Sequence, residues 1–222
     1  MSIFENLLFN PNKYLRHSYS QYGEDLVVEY YANCFKNAKF IDIGAYHPFR
    51  FSNTYKLYKK GWSGVNLEPN MKYSHLFAKH RKRDCNLFFG ISNKKQELNY
   101  YKYDEPLLNT FDPLMVQFIK QSYGLDFISK DKIRLITFDD VEKMISFSFS
   151  EVQYINIDAE GYDFLILKSF NFSKYLPKII SIESIDEFKK GSYKQIDITE
   201  FLKSYDYKLK SRSVLTNIYV HD

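Results

Sequence analysis

Apolar and polar positions along the chain fall into short blocks that switch between two periods. After Ser20, the acids Glu24 and Asp25 precede Leu26, Val27, Tyr30, Tyr31 and Cys34, a spacing of threes and fours that predicts an amphipathic helix. Residues 39–45 (Lys-Phe-Ile-Asp-Ile-Gly-Ala) form an apolar run that ends at an acid and a glycine, as a buried parallel strand entering a turn would. A short helix over 52–60, a strand over 64–68, a helix over 71–83 and a third strand over 86–92 follow. The rhythm then breaks: residues 96–132 are polar and aromatic, with Pro106, Pro113 and one weak helix over 113–123. This predicts an insertion over the sheet, either a lid or substrate wall or a plain surface excursion.

Alternation resumes with strands over 133–138, 154–158 and 178–183, separated by helices over 139–145 and around Phe164–Phe170. A helix over 198–205 and strands over 207–213 and 217–220 close one edge as an antiparallel pair. The expected fold is α/β: a doubly wound, mostly parallel sheet with an antiparallel C-terminal strand. Residues 1–19, with the turn cluster Asn10-Pro11-Asn12, are expected to form an N-terminal arm, and 20–222 one domain.

Composition narrows the classes. The 222 residues, 45% hydrophobic and 26% charged, exclude wholesale disorder and a fibrous repeat. A net charge of +4 is too small to argue for nucleic acid by itself. The 20 Tyr and 20 Phe fit the bias of an AT-rich coding sequence, with a stacking surface for sugars or bases as the functional alternative. Cys34 and Cys85 lack metal-ligand or redox spacing, which fits buried small hydrophobes in a reducing compartment. Neither a basic leader nor an apolar run of about 18 residues is present, so the expected setting is cytoplasmic, without membrane insertion.

In open parallel sheets, ligands bind beyond the carboxyl ends of the strands. Those ends carry Asp42 and Gly44, Glu68, Ser92, Asp158 with Glu160, and Glu183. A rim of carboxylates disfavours a pyrophosphate and suits a ligand with an ammonium, a ribose diol and a sulfonium. The glycine spacing agrees, since a dinucleotide site uses G-x-G-x-x-G whereas Gly44 is followed by Ala-Tyr-His-Pro. Glu68 stands where a carboxylate can accept from both ribose hydroxyls. Together these features point to S-adenosylmethionine. A nicotinamide-dependent oxidoreductase is a second reading, weakened by the missing glycines, and a non-catalytic binding module on the same fold is a third.

The blocks Ser20-Gln-Tyr-Gly-Glu-Asp-Leu26, Phe40-Ile-Asp-Ile-Gly-Ala-Tyr-His-Pro48, Ser52-Asn-Thr54, Gly61-Trp-Ser-Gly-Val-Asn-Leu-Glu-Pro-Asn70 and Ile157-Asp-Ala-Glu-Gly-Tyr-Asp163 occur in order. In them the chain resembles the FkbM family of S-adenosylmethionine-dependent methyltransferases. The resemblance implies a class I methyltransferase sheet, order 3-2-1-4-5-7-6 with the last strand antiparallel, and O-methylation of a sugar or other hydroxylated metabolite. It also implies that Asp42, Gly44 and Ala45 line the methionine portion, Glu68 the ribose, and Pro69 and Asn70 the adenine or ribose. Ser92 and Asn93 would approach the base, and Ser52 and Asn53 would close over the carboxylate. Gln21 and Glu24 either cover the site or cap their helix.

An alcohol is a poor nucleophile at neutral pH, so a base or a metal is expected. Asp158, Glu160 and Glu183 are the candidates for base, or for ligands of Mg²⁺ or Mn²⁺ through oxygen; a helix cap at Asp158 and a solvated Glu160 are the bland reading. His47 is a second base candidate, against a structural role before Pro48. Trp62 is expected in the core, and the run His80-Arg-Lys-Arg83 as a solvated helix end. The Pro-Pro-aromatic signature of nucleic-acid amino-methyltransferases is absent after the fourth strand, where Asp158-Ala-Glu-Gly161 stands. Partners are therefore expected to be a small-molecule or carbohydrate acceptor and no nucleic acid, with a homo-oligomer compatible.

Overall fold

In a computed structural model of the chain, which describes residues 11–184 and 195–222, the apolar alternation resolves into one sheet buried on both faces. Strands β1 (Lys39–Ile43), β2 (Ser63–Leu67), β3 (Cys85–Leu87), β7 (Val152–Ile157), β8 (Ile179–Glu183), β9 (Tyr207–Arg212) and β10 (Thr216–His221) pair in the order β3-β2-β1-β7-β8-β10-β9. Counted within this sheet, that is the expected order 3-2-1-4-5-7-6. β10 runs antiparallel to both β8 and β9, and the other pairings are parallel.

The period of two assigns the faces. Ile41, Ile43, Val65, Leu67, Ile155, Ile157, Ile180 and Ile182 point into one core, under helices α5 (Phe138–Met144), α6 (Asp163–Ser169) and α7 (Gln195–Lys203). Phe40, Tyr154, Ile179 and Trp62 point the other way, against α1 (Glu24–Ala32) and α2 (Tyr55–Lys59). Trp62 is core, as expected. Helix α3 (Ser74–His80) follows a 3-10 turn and is shorter than the 71–83 span expected.

Two boundaries differ. The expected third strand over 86–92 is two: β3 leaves the main sheet at Leu87, and β4 (Gly90–Ile91) joins β5 (Gln96–Lys102) and β6 (Ser129–Ile136) in a separate sheet ordered β4-β6-β5. The insertion is thus a built unit, with helix α4 (Pro113–Tyr123) where a weak helix was expected, capped by Asp112 and closed by a left-handed Gly124. Of the expected arm, residues 1–10 lie outside the described residues; Tyr19 is tied down through its carbonyl to the Ser52 N–H (2.9 Å) and its ring to Tyr55.

Candidate functional site

The exits of β1 and β7 cross so closely that only glycine fits between them. The N–H of Asp158 donates to Ile43 (3.0 Å) and that of Gly44 to Leu67 (2.9 Å). A Cβ on Gly44, whose φ is +74°, would stand 1.6 Å from the Asp158 carbonyl oxygen. The turn continues through Tyr46, itself left-handed at φ +49°, a strained state for an aromatic residue that a surrounding network must hold. Glu68 supplies that network: its Oε2 accepts from the Tyr46 N–H (2.8 Å) and its Oε1 from the Asn70 N–H (2.7 Å). Burial pushes the Glu68 carboxyl up to about 7, against the lowering effect of these two bonds and with a further push from Asp42.

Above this turn opens a narrow cleft with a cavity volume of about 80 Å³. Gly44, Tyr46, Glu68 and Pro69 form its floor, Asp158, Glu160 and Tyr162 one side, and Phe89, Tyr100, Asn109 and Phe111 the other. Among the described residues no Lys, Arg or His lines it. One oxygen from each of Asp158, Glu160 and Glu183 lies within 4.8 Å of the others, a spacing that could hold a divalent cation through oxygen. Burial, then the charges of Asp163 and Asp42, raises Asp158 to about 8; burial, then Asp158 and Asp163, raises Glu160 well above the carboxylate range. Asp163 is spent on backbone, accepting from the N–H groups of Ala159 (2.8 Å) and Gly161 (3.0 Å), which fixes the loop carrying the two acids. The insertion grips the same loop, where the Thr110 hydroxyl donates to the Glu160 carbonyl (2.7 Å).

Asp42 serves a different structure. It occupies the second face of the sheet, in a row of register partners that runs Asn86, Asn66, Asp42, Asn156 and Ser181 across five strands. Its Oδ2 accepts from Thr54 (2.5 Å) and its Oδ1 from the Asn156 amide (2.9 Å). The Ser181 hydroxyl donates to Asn156 (2.6 Å), and the Asn66 amide to Asn86 (2.8 Å). Arg81, fully buried, closes the network through Nε to Asp84 (2.6 Å), Nη2 to Thr54 (2.9 Å) and Asn66 (3.2 Å), and Nη1 to the Pro48 carbonyl (3.0 Å). The expectation of a solvated helix end therefore fails at Arg81, whose helix packs it over the sheet.

Of the residues expected to hold the cofactor, Gly44, Glu68 and Pro69 line the cleft, and Asn70 contributes its backbone to Glu68. Asp42, Ala45, Ser52, Asn53, Ser92 and Asn93 are not among its lining. Ser52 accepts the Tyr55 N–H (3.1 Å) at the start of α2, and the Asn53 amide donates to Asn156 (3.0 Å). Ser92 is buried in a turn, bonded to Asn93 and Gln96, because the chain has already left the main sheet there. The three expected acids do come together. His47, expected as an alternative base, is a turn residue outside the lining: its Nδ1 accepts from the Arg50 N–H (3.0 Å), and burial and Arg50 lower its pKa. Glu24 accepts from the Tyr22 N–H (2.9 Å) and the Ser213 hydroxyl (2.6 Å), not over the cleft. Cys34 is exposed, not buried.

Tyr46, Tyr100, Asn109 and Phe111 are not singled out by the sequence, although the aromatic density of residues 98–111 at the break in rhythm is a signal for Tyr100 and Phe111.

Residues 42–209 match the family model described as the Methyltransferase FkbM domain. No curated protein matches the chain. Among solved structures, a Burkholderia thailandensis 1,6-didemethyltoxoflavin-N1-methyltransferase, with bound 1,6-didemethyltoxoflavin and S-adenosylhomocysteine, is 8% identical, with 89% of this chain and 75% of that one covered and a TM-score of 0.42. A TehB-like SAM-dependent methyltransferase from Corynebacterium glutamicum is 12% identical, with 99% and 96% covered and a TM-score of 0.37. Likenesses this low carry no functional weight.

Proposed function

This chain belongs to the FkbM methyltransferase family, and we propose that it transfers a methyl group from S-adenosylmethionine to a hydroxyl of a sugar or another small hydroxylated metabolite. The observation that carries this reading is the cleft at the exits of β1, β2 and β7, lined by carboxylates and by no cationic side chain among the described residues. Such a lining repels a pyrophosphate and attracts a sulfonium, which weighs against the nicotinamide reading.

The residues present fit the proposed cofactor. Gly44 lets the exits of β1 and β7 meet at the cleft floor, Glu68 offers carboxylate oxygens to a ribose diol, and Phe89, Tyr100 and Phe111 offer an aromatic wall for a base. When bound, the cofactor would supply an electrophilic methyl on a positive sulfur. The chain's own part is to orient the acceptor, exclude water and take its proton. Asp158 and Glu160 stand at the cleft wall for that step. With both carboxyls raised by burial, Asp158 to about 8, their ionised forms are stronger bases than ordinary carboxylates, and a nearby positive charge favours ionisation. Mg²⁺ or Mn²⁺ held by these two and Glu183 would lower the acceptor's pKa instead, a variant supported by their spacing alone. The two free cysteines fit the cytoplasmic setting that belongs to the same proposal.

The test is a thermal-shift titration of the wild-type chain with S-adenosylhomocysteine and, separately, with NAD. Stabilisation by the first alone supports the reading. Stabilisation by NAD alone overturns it.

A further inference from the structure

The wall of the cleft has an outer face whose chemistry the transfer reaction does not use. Along β5 and β6 side chains alternate, so Tyr100 turns inward to line the cleft while Lys130, Lys132 and Arg134 share the opposite face, all exposed. Their cross-strand partners are Tyr101, Asn99 and Glu97. Just before this row every residue from 123 to 128 is exposed, and among them Leu125 is 46% and Ile128 64% exposed. Phe127 lays its ring edge on Tyr101 at 5.2 Å, so the apolar loop lies beside the basic row.

The segment's two acids are answered elsewhere: Asp126 pairs with Lys120 on α4, and Asp131 with Lys102 on β5. Glu97, opposite Arg134, is the one acid on the outward row of the two strands. Lys130 and Lys132 thus leave a local excess of positive charge next to exposed aliphatic side chains. No helix among the described residues is long and apolar enough to cross a membrane, so any contact with lipid through this face is peripheral.

We propose that this face of the insertion docks on an anionic lipid surface, with Leu125, Phe127 and Ile128 entering the interface and Lys130 and Lys132 meeting lipid phosphates. Exposed apolar side chains flanked by cations are what binding to a charged interface requires. A two-fold contact between copies of the chain would set the basic row close to its own counterpart, which like charges oppose. A single-stranded nucleic acid would engage rings and lysines but leave Leu125 and Ile128 without a stacking partner. The inference does not depend on the reaction proposed above.

Co-sedimentation of the full chain with vesicles of phosphatidylcholine, alone or mixed with phosphatidylglycerol, tests it. The expected result is sedimentation with the mixed vesicles only, weakened by salt. Lys130→Glu with Lys132→Glu should lower partitioning by about tenfold or more, and Leu125→Asp with Ile128→Asp should abolish it, each with an unchanged melting temperature in the absence of vesicles. The proposal is overturned if the wild type sediments with neither vesicle, or if all variants sediment equally. It is equally overturned if light scattering shows a dimer that Leu125→Asp with Ile128→Asp dissolves, or if a single-stranded oligonucleotide is bound more tightly than the mixed vesicles.

Discussion

Asp42 and Asp158 belong to neighbouring strands, β1 and β7, and the fold treats them in opposite ways. Asp42 points into the second core, where Thr54 and Asn156 donate to its two oxygens and the Arg81 guanidinium balances its charge through Thr54. Asp158 stands one step past its strand, at the rim, with Glu160 and Glu183 within 4.8 Å and, among the described residues, no cationic side chain in the cleft lining. Both carboxyls are raised by burial, but the first is set within a completed network and the second among its own kind. A cluster of raised acids at a cleft rim is where a positive or hydroxyl-bearing ligand would change protonation, in keeping with the proposed reaction, while the compensated row is architecture.

That contrast can be broken by substitution. Glu160→Gln should leave stability largely unchanged, because its surroundings favour the neutral form that the amide mimics, yet lower methyl transfer by about 10²- to 10⁴-fold if Glu160 is the base; full activity in a turnover assay would move that role to Asp158. Arg81→Ala should do the reverse of a site mutation: roughly 3–5 kcal/mol of stability lost by urea denaturation, since Asp84 and Asp42 are left buried without their cation. A loss under about 1 kcal/mol would show that the row is not held by charge. Glu68→Gln keeps the shape but leaves the Tyr46 or the Asn70 N–H without its acceptor, and should weaken S-adenosylhomocysteine binding about tenfold by calorimetry.

The pH dependence follows from the same groups. Glu68 rises from 4.5 to about 7 and Asp158 from 3.8 to about 8, so the folded chain holds protons that the unfolded chain has released. The stabilisation these two groups contribute is therefore complete below about pH 4 and is lost as pH rises through 7 to 8, by an amount on the order of 3 kcal/mol for Glu68. A wild-type urea midpoint that rises from pH 5 to 8 relative to that of Glu68→Gln would contradict this.

The rim was legible in the sequence because a strand that ends in an acid, read with its period of two, places that acid at the carboxyl edge whatever else the chain does. Glu68, Asp158 and Glu183 follow from that rule, and Gly44 and Glu160 belong to the turns just beyond it. Asp42 shows its limit. One position before the end of β1, it faces the other core, and alternation alone does not say that the ends of α2 and α3 will cover it with Thr54 and Arg81. Arg81 looked solvated because a basic helix end is the ordinary case, and its burial depends on a packing partner 15 to 33 residues away in sequence. Ser92 and Asn93 were misplaced because an apolar run gives no sign that β3 hands over to β4 in another sheet. The aromatic wall from the insertion is a tertiary feature, set by the pairing of β5 with β6.

The central claim is that negative side chains at the rim receive a positive sulfur. Calorimetric titration of S-adenosylmethionine and S-adenosylhomocysteine, which differ in that charge, tests it at pH 6 and pH 8.5. Ionisation of Glu68 and Asp158 over this interval should raise the ratio of the first affinity to the second several-fold, up to about tenfold. A ratio that stays flat or falls as pH rises would contradict the account.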